Sequence, residues 1–593
     1  MTLKKLSTIF AQYPLLPNLL IVLVALFSCA SILLHGAFGG YDLEFHLIWV
    51  KHFTTQLAQG ELYPRWMMDM HLGAGSPTFY FYAPLAYYIT AIPGLLFPWI
   101  EVITQHAIGE TAIIALSGMA FYHYAQRRFA AIPALLASLI YMILPYHFEY
   151  DLWTRQDLSE IANYIWLPLV IDYTERLFDG EEALIGLAIV YGCMMLTHLP
   201  TTLLFSLGLA GYVLVLTCMK PSWRFLAHFS TAIAIGILLA GTYWIPAVFC
   251  LKYIHAEEWW APFYDFRRWF FPLVDAPQLN SDSQRLFDML CLTTVIFALC
   301  WLNALCWRSP EAIKKLWPCL ALVVVSWFFM SSWSRILWEV LPLLSKVQFP
   351  WRIAVGIDLA TAIAVLLMMN NLYLQHDKLT ILVAAVVISL LLYSLATAHI
   401  GFSLVPDDAG KNVHKLYREA LFMNSEDASP HIPRWNNLAQ VDENDKTIEM
   451  LGQKVYDKSH GDITTGNVAY VERNGSITVS TWAPDRILLD IDLQNPTPLT
   501  VRQLYFPNWR ASVVGSGSTL KIAPVAGWGL IRIIAPAGKY QLQLKMGHLK
   551  EELIGAAMSG LALLLLSGRA VWMRWRHQAR KTAATFDKSI SEN

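Results

Sequence analysis

The side chains that could do chemistry fall in four short stretches, each beside an apolar run. The first reads Gly39-Gly40-Tyr41-Asp42-Leu43-Glu44-Phe45-His46. Asp42 and Glu44, two apart, can converge from a loop, whereas Asp42 and His46, four apart, share a face if a helix starts here. Asp42 reads equally well as the cap of that helix. The second stretch holds Glu149, Asp151, Arg155, Asp157 and Glu160, for which the plain alternative is a salt-bridged turn at a membrane interface. A third is basic and aromatic: Lys252, His255, Trp259, Trp260, Tyr264, Arg267, Arg268 and Trp269. The fourth is Gln348-Phe349-Pro350-Trp351-Arg352. A carboxylate can take a proton from a hydroxyl, and a guanidinium offers paired donors to a phosphate, so these types together suit chemistry on a lipid-linked phosphate. His46 and His198, the latter next to Leu199-Pro200, read as packing or hydrogen-bonding residues rather than metal ligands.

The elements that must hold these groups are membrane spans. The chain has 593 residues, 56% hydrophobic and 15% charged, with a mean hydropathy of +0.43, which excludes a soluble globular enzyme. Lysine and arginine (43) nearly balance aspartate and glutamate (44), leaving no basic excess for nucleic acid. The eight cysteines show no CxxC or metal spacing and read as small core residues. No Walker loop, GxGxxG after a strand or HExxH is present, which disfavours an ATP-driven pump, a Rossmann nucleotide-sugar enzyme and a zinc protease. Lys4 and Lys5 precede an apolar run from Leu15 to Leu34, which we read as a retained first span with a cytoplasmic N-terminus.

Placing the tight basic clusters on one side predicts about twelve spans with both termini cytoplasmic. Residues 1–397 then form a transmembrane catalytic unit with external loops at 36–103, 145–161, 250–285 and 331–352. Within the first loop, 79–100 reads as re-entrant or interfacial, because Pro93 and Pro98 weaken it as a span. Residues 398–548 form an external, mostly β domain: Ser476–Trp482, Ile487–Leu493, Leu530–Ile534 and Tyr540–Leu544 alternate apolar and polar residues, as strands of a small sandwich do. Lys411 to Asn424 has helical spacing. A last span at 549–572 leads to a basic cytoplasmic tail, 573–593.

The chain resembles the GT-C superfamily of integral-membrane glycosyltransferases, especially the bacterial branch grouped with YfhO-like and "6-pyruvoyl-tetrahydropterin synthase-related" membrane proteins. The resemblance rests on the acidic first loop, Gly60-Glu61-Leu62-Tyr63-Pro64-Arg65-Trp66, Gly73-Ala74-Gly75-Ser76-Pro77, Arg155 with Glu160 before Leu167-Pro168-Leu169, Thr197-His198-Leu199-Pro200, and Phe349-Pro350-Trp351-Arg352. Tyr505-Phe506-Pro507-Asn508-Trp509-Arg510 and Pro536-Ala537-Gly538-Lys539-Tyr540 are similar to the terminal β domain of that branch. The resemblance implies a polytopic helical enzyme of a bacterial inner membrane, active on the periplasmic or outer face. It would transfer a sugar from a polyprenyl-phosphate donor to a glycan, lipid or protein acceptor in cell-envelope polysaccharide synthesis. Asp42 matches the general base, with Glu44 its nearest substitute. Substrate and phosphate would be held by His46, Arg155, Glu160, His198, Arg267, Arg268 and Arg352. Some members use a divalent cation, Mg or Mn; the Asp42–Glu44 spacing does not decide this. A lipid-phosphate transporter and a non-catalytic envelope assembly protein are the alternatives.

Overall fold

The computed structural model describes residues 9–10, 12–37, 40–260, 264–271, 281–306, 310–375, 378–403, 431, 433–435, 469–471 and 475–591. The helix expected over Lys411–Asn424 lies outside them.

Apolar runs without interior charges fold as helices because a bilayer leaves no other partner for backbone N–H and C=O groups. Six described helices are long and apolar enough to cross a membrane: Ala131–Arg155, Leu199–Met219, Ser283–Cys306, Ala312–Met330, Pro350–Gln375 and Lys550–Arg576. Trp223–Leu239 and Gly241–Phe249, bent by 68° at their junction, make a seventh if counted together, and Leu16–Ser28, Leu85–Leu96, Leu184–Thr197 and Lys378–Tyr393 are shorter apolar helices. Val102–Gln126 matches a span in length, but Gln105, His106, Glu110 and Thr111 make it more polar. Pro350–Gln375 is the central element, with 94% of its apolar stretch inside the protein, whereas Lys550–Arg576 has 17% inside and presents its leucines outward.

The expected external loops contain helices, and two cases bear on how the chain meets the membrane. Within 79–100, Leu85–Leu96 is a 12-residue helix packed on Val102–Gln126 and on Leu43–Ala58, too short to span ~30 Å alone at ~1.5 Å per residue. The second case is a correction: residues 145–161, read as a loop, are helical. Tyr146–Arg155 is a ten-residue π-helix and Leu158–Asn163 an α-helix, both largely buried. The charges that suggest a loop are partnered inside the protein.

After the helices come nine described strands: β1 (Ala469–Val471), β2 (Gly475–Ala483), β3 (Arg486–Leu493), β4 (Thr497–Leu504), β5 (Trp509–Val513), β6 (Thr519–Leu520), β7 (Ile522–Pro524), β8 (Leu530–Ala535) and β9 (Gly538–Met546). They form two antiparallel sheets, ordered β1-β4-β8-β7 and β2-β3-β9-β5-β6. Along β3, Ile487, Leu489, Ile491 and Leu493 are buried, while Asp490 and Asp492 are exposed, the alternation a pleated strand with one covered face requires.

The loop before the short helix Thr78–Phe81 joins this unit to the helices. Trp66 Nε1 donates to Gln503 Oε1 (2.7 Å), and Gln503 Nε2 donates to the carbonyls of Met68 (3.1 Å) and Gly73 (2.8 Å). Asn508 Nδ2 donates to the Tyr80 hydroxyl at 2.8 Å. Arg65 pairs with Glu552 at the start of the last helix. Gly75 is required here: its φ is +84°, and a Cβ would lie 2.6 Å from both Trp66 and Gln503.

Candidate active site

The site is assembled around the turn that ends the π-helix. Gln156, at φ +61°, reverses the chain and places Asp157 at the N-cap of Leu158–Asn163, where Asp157 Oδ1 accepts from the Glu160 backbone N–H at 3.1 Å. Asp157 and Glu160 have the spacing of a capping box. Instead of folding back, however, the Glu160 carboxylate accepts from Arg155 Nη1 (2.7 Å), Arg352 Nε (3.1 Å) and the Tyr146 hydroxyl (2.9 Å). Arg155 Nη2 donates to Asp157 Oδ2 at 2.6 Å and to Asp42 Oδ2 at 3.2 Å, and its Nη1 lies 3.5 Å from Asp151 Oδ1. Pro350 opens the 3₁₀ turn Pro350–Ala354 that brings Arg352 in from the central helix, its Nη2 3.5 Å from Asp157 Oδ2.

Asp42 reaches this cluster through its backbone as well. Its N–H donates to the Arg155 carbonyl at 2.9 Å. Gly40 allows the close approach: its φ is +150°, and a Cβ there would lie 2.5 Å from Gln156. Asp42 stands at the N-cap position of Leu43–Ala58, but its side chain makes no capping bond and is spent on Arg155. The two readings of Asp42 thus describe one residue, its position capping and its carboxylate not.

Four carboxylates (Asp42, Asp151, Asp157, Glu160) therefore face two guanidiniums (Arg155, Arg352). Burial pushes the Asp157 carboxyl up, but Arg155 and Arg352 outweigh it and hold that group well below the usual carboxylate range. Asp42 differs. With 35% of its side chain exposed it sits at the mouth of the cluster. Enclosure by the site raises its carboxyl to about 6, against the pull of Arg155.

His46 Nδ1 bonds the Tyr87 hydroxyl at 2.6 Å, and its Nε2 lies 3.9 Å from Asp157 Oδ1. His198 Nδ1 bonds Thr201 Oγ1 at 2.7 Å. Burial holds both imidazoles at about 3, despite Asp157, so they are neutral hydrogen-bonding groups at ordinary pH rather than cations for a phosphate. Glu44 is half-buried on the first turn of its helix.

Arg267 and Arg268 make none of the ion pairs that join Arg155 and Arg352 to Asp157 and Glu160. Both are exposed on a 3₁₀ turn, and Arg267 pairs with Asp265 (3.2 Å) and Glu339 (3.1 Å). Trp269, the next residue, does reach inward: its ring lies 5.6 Å from Phe349 and 5.0 Å from Trp351, and the Arg155 and Arg352 guanidiniums sit over the Phe349 ring. Sequence reasoning puts Asp151 and Asp157 in a charged cluster but not among the site residues, and nothing local marks Tyr146, Tyr87 or Trp49. The Trp49 ring lies 5.7 Å from His46 and 4.6 Å from Tyr82.

Among the described residues no three His, Cys, Asp or Glu side chains are arranged to hold a metal ion. The carboxylates that would ligate Mg²⁺ or Mn²⁺ are instead directed at guanidiniums, a donor set that does not fit such an ion.

No family model and no curated protein matches the chain, so the YfhO-like branch finds no match there. Solved structures similar to it include ArnT from Cupriavidus metallidurans in the apo state, at 12% identity over 59% of this chain and 76% of that one, with a TM-score of 0.30. The same protein bound to undecaprenyl phosphate is similar at 13% identity over 59% and 77%, with a TM-score of 0.29.

Proposed function

We propose that this multi-pass membrane protein is a glycosyltransferase that moves a sugar from a polyprenyl-phosphate donor to a glycan, lipid or protein acceptor on the extracytoplasmic face. The observation that carries the reading is Asp42: a partly exposed carboxylate, raised to about 6, at the mouth of a buried network that holds Arg155 and Arg352 rigidly. A base with a value near neutral combines a useful ionised fraction with proton affinity.

In the proposed step the acceptor hydroxyl gives its proton to Asp42 while its oxygen bonds to the anomeric carbon. The bond from that carbon to the phosphate oxygen breaks, and polyprenyl phosphate leaves with the electron pair. A single displacement of this kind inverts the anomeric centre. Arg352 and Arg155 face the charge that grows on the phosphate, and Glu160 and Asp157 fix both guanidiniums in place. His46 and His198, uncharged, offer hydrogen bonds to substrate hydroxyls without adding charge.

The test is product analysis on the purified protein with polyprenyl-phosphate sugars and a panel of acceptors. Glycosylated acceptor and free polyprenyl phosphate should form in equal amounts. A transporter or an assembly protein would yield neither, and binding without cleavage across the panel would overturn the proposal.

A further inference from the structure

The π-helix Tyr146–Arg155 ends at Arg155, so whatever fixes its first turn also fixes where that guanidinium stands. A π-helix pairs each N–H with the carbonyl five residues back, which leaves the N–H groups of its first turn without an acceptor inside the helix. A serine, threonine, asparagine or aspartate just before the helix ordinarily supplies one. Here the preceding residue is Pro145, which makes no capping bond. The Phe148 N–H finds the Leu144 carbonyl at 2.8 Å. The His147 N–H instead donates to Asp358 Oδ2 at 3.0 Å, on a residue 211 positions further along the chain.

Asp358 is fully buried on the central helix Pro350–Gln375, and an ionisable side chain in a membrane-spanning element is costly enough to need a task. Its Oδ2 also accepts from the Tyr164 hydroxyl at 3.0 Å. Its Oδ1 has no hydrogen-bond partner among the described residues, so the two bonds at Oδ2 are what this side chain contributes. They are braced from the side: the His147 ring lies flat on Tyr164, with 3.6 Å between centroids and 3° between planes, and the Tyr164 carbonyl accepts from the Tyr141 hydroxyl at 2.8 Å. Arg352 lies six positions before Asp358, in the turn Pro350–Ala354 that opens the same span. One element therefore registers both guanidiniums, Arg352 directly and Arg155 through the capped π-helix.

We propose that Asp358 is a positioning residue: by capping the π-helix from the central helix it sets Arg155 against Arg352, and with that the hold of Arg155 on Asp42. The consequence for turnover rests on the reaction proposed above. The consequence for the Arg155–Asp42 pair, 3.2 Å apart, does not.

The test uses the full-length protein in lipid nanodiscs, with monodispersity and the unfolding midpoint as checks of folding, and two readouts. The first needs no turnover: labelling of Asp42 by a water-soluble carbodiimide, which takes the protonated carboxyl, is followed against pH by mass spectrometry and normalised to the exposed Asp485. In wild type the labelling should fall with a midpoint near 6. Asp358→Leu removes the cap and should move that midpoint upward, because Arg155 opposes the rise of the Asp42 carboxyl and its hold would loosen. Asp358→Asn keeps an acceptor oxygen in place and should match wild type. Tyr164→Phe keeps the ring stack, loses one bond and should give a smaller upward move. The second readout is turnover: in Asp358→Leu kcat should fall by up to about 10²-fold with KM little changed, and Asp358→Asn should restore it. Should Asp358→Leu not fold, the other two variants decide. Equal midpoints in wild type and folded Asp358→Leu, a shifted midpoint in Asp358→Asn, or none in Tyr164→Phe would overturn the inference. Absence of turnover in wild type beside the expected midpoints would contradict the reaction alone.

Discussion

Arg352 Nε donates to Glu160 Oε2 at 3.1 Å, joining residues 192 positions apart in the chain. The same oxygen accepts from Arg155 Nη1 at 2.7 Å, so one carboxylate holds two guanidiniums that would otherwise repel each other inside the protein. Removing one member of a buried network costs more than the network contributes, because the remaining charges stay buried without it. Glu160→Ala should therefore destabilise the protein by about 3–5 kcal/mol, read as a lowered unfolding midpoint in detergent. An unchanged midpoint would mean that Asp151 and Asp157 suffice.

The value of Asp42 sets a pH dependence. Its carboxyl is raised to about 6 by enclosure, with Arg155 opposing. A base raised in this way is protonated, and idle, below that pH, so kcat/KM should climb from acid pH to a plateau with a midpoint near 6. Stability has the opposite sense. A carboxyl raised in the fold holds its proton more tightly there than in the unfolded chain, so the fold loses stability as pH rises from the ordinary aspartate range through about 6. Asp42→Asn should consequently leave the unfolding midpoint at neutral pH unchanged or higher; a sharp drop would assign Asp42 a structural role.

Arg352→Lys keeps a charge but loses the planar fork that meets Glu160 and Asp157. If Arg352 faces charge developing on the leaving phosphate, kcat should fall by about 10²-fold while KM changes little. A change confined to KM would place Arg352 in ground-state binding only.

Attachment of the β-strands to the helices passes through Gly75. Gly75→Ala forces a positive φ on a residue with a Cβ and drives that Cβ into Trp66 and Gln503, a strain of about 1–3 kcal/mol. Hydrogen exchange should accelerate at the Leu504 amide, which donates to the Ala74 carbonyl, without a matching change in the central helix Pro350–Gln375. Uniform acceleration would show that the strands and helices unfold as one unit.

What can be read in the sequence divides along physical lines. Period-two alternation is a local property, and the runs at Ile487–Leu493 and Leu530–Ile534 lie on β3 and β8. Charges held beside apolar runs are also visible locally, which is why Asp42, Arg155, Glu160 and Arg352 stand out. Their meeting is not legible: nothing within Phe349–Arg352 indicates that its guanidinium will find Glu160. Arg267 and Arg268 have the same residue type and apparent sidedness as Arg155, yet they lie on an exposed turn whose place is set by the packing of Phe266 on Trp338. The π-helix Tyr146–Arg155 is hidden because its Glu, Asp and Arg residues imitate a loop. Their burial is tolerated through long-range pairing, as with Glu149 and Arg285 at 2.6 Å.

In the proposed reaction Asp42 takes a proton from the acceptor as sugar leaves polyprenyl phosphate. Its most direct test follows release of free polyprenyl phosphate from a polyprenyl-phosphate sugar by wild type, Asp42→Asn and Asp42→Glu, with equal unfolding midpoints establishing equal folding. Wild type should release polyprenyl phosphate, Asp42→Asn should not, and Asp42→Glu should restore part of the release. Equal release by wild type and Asp42→Asn would contradict it.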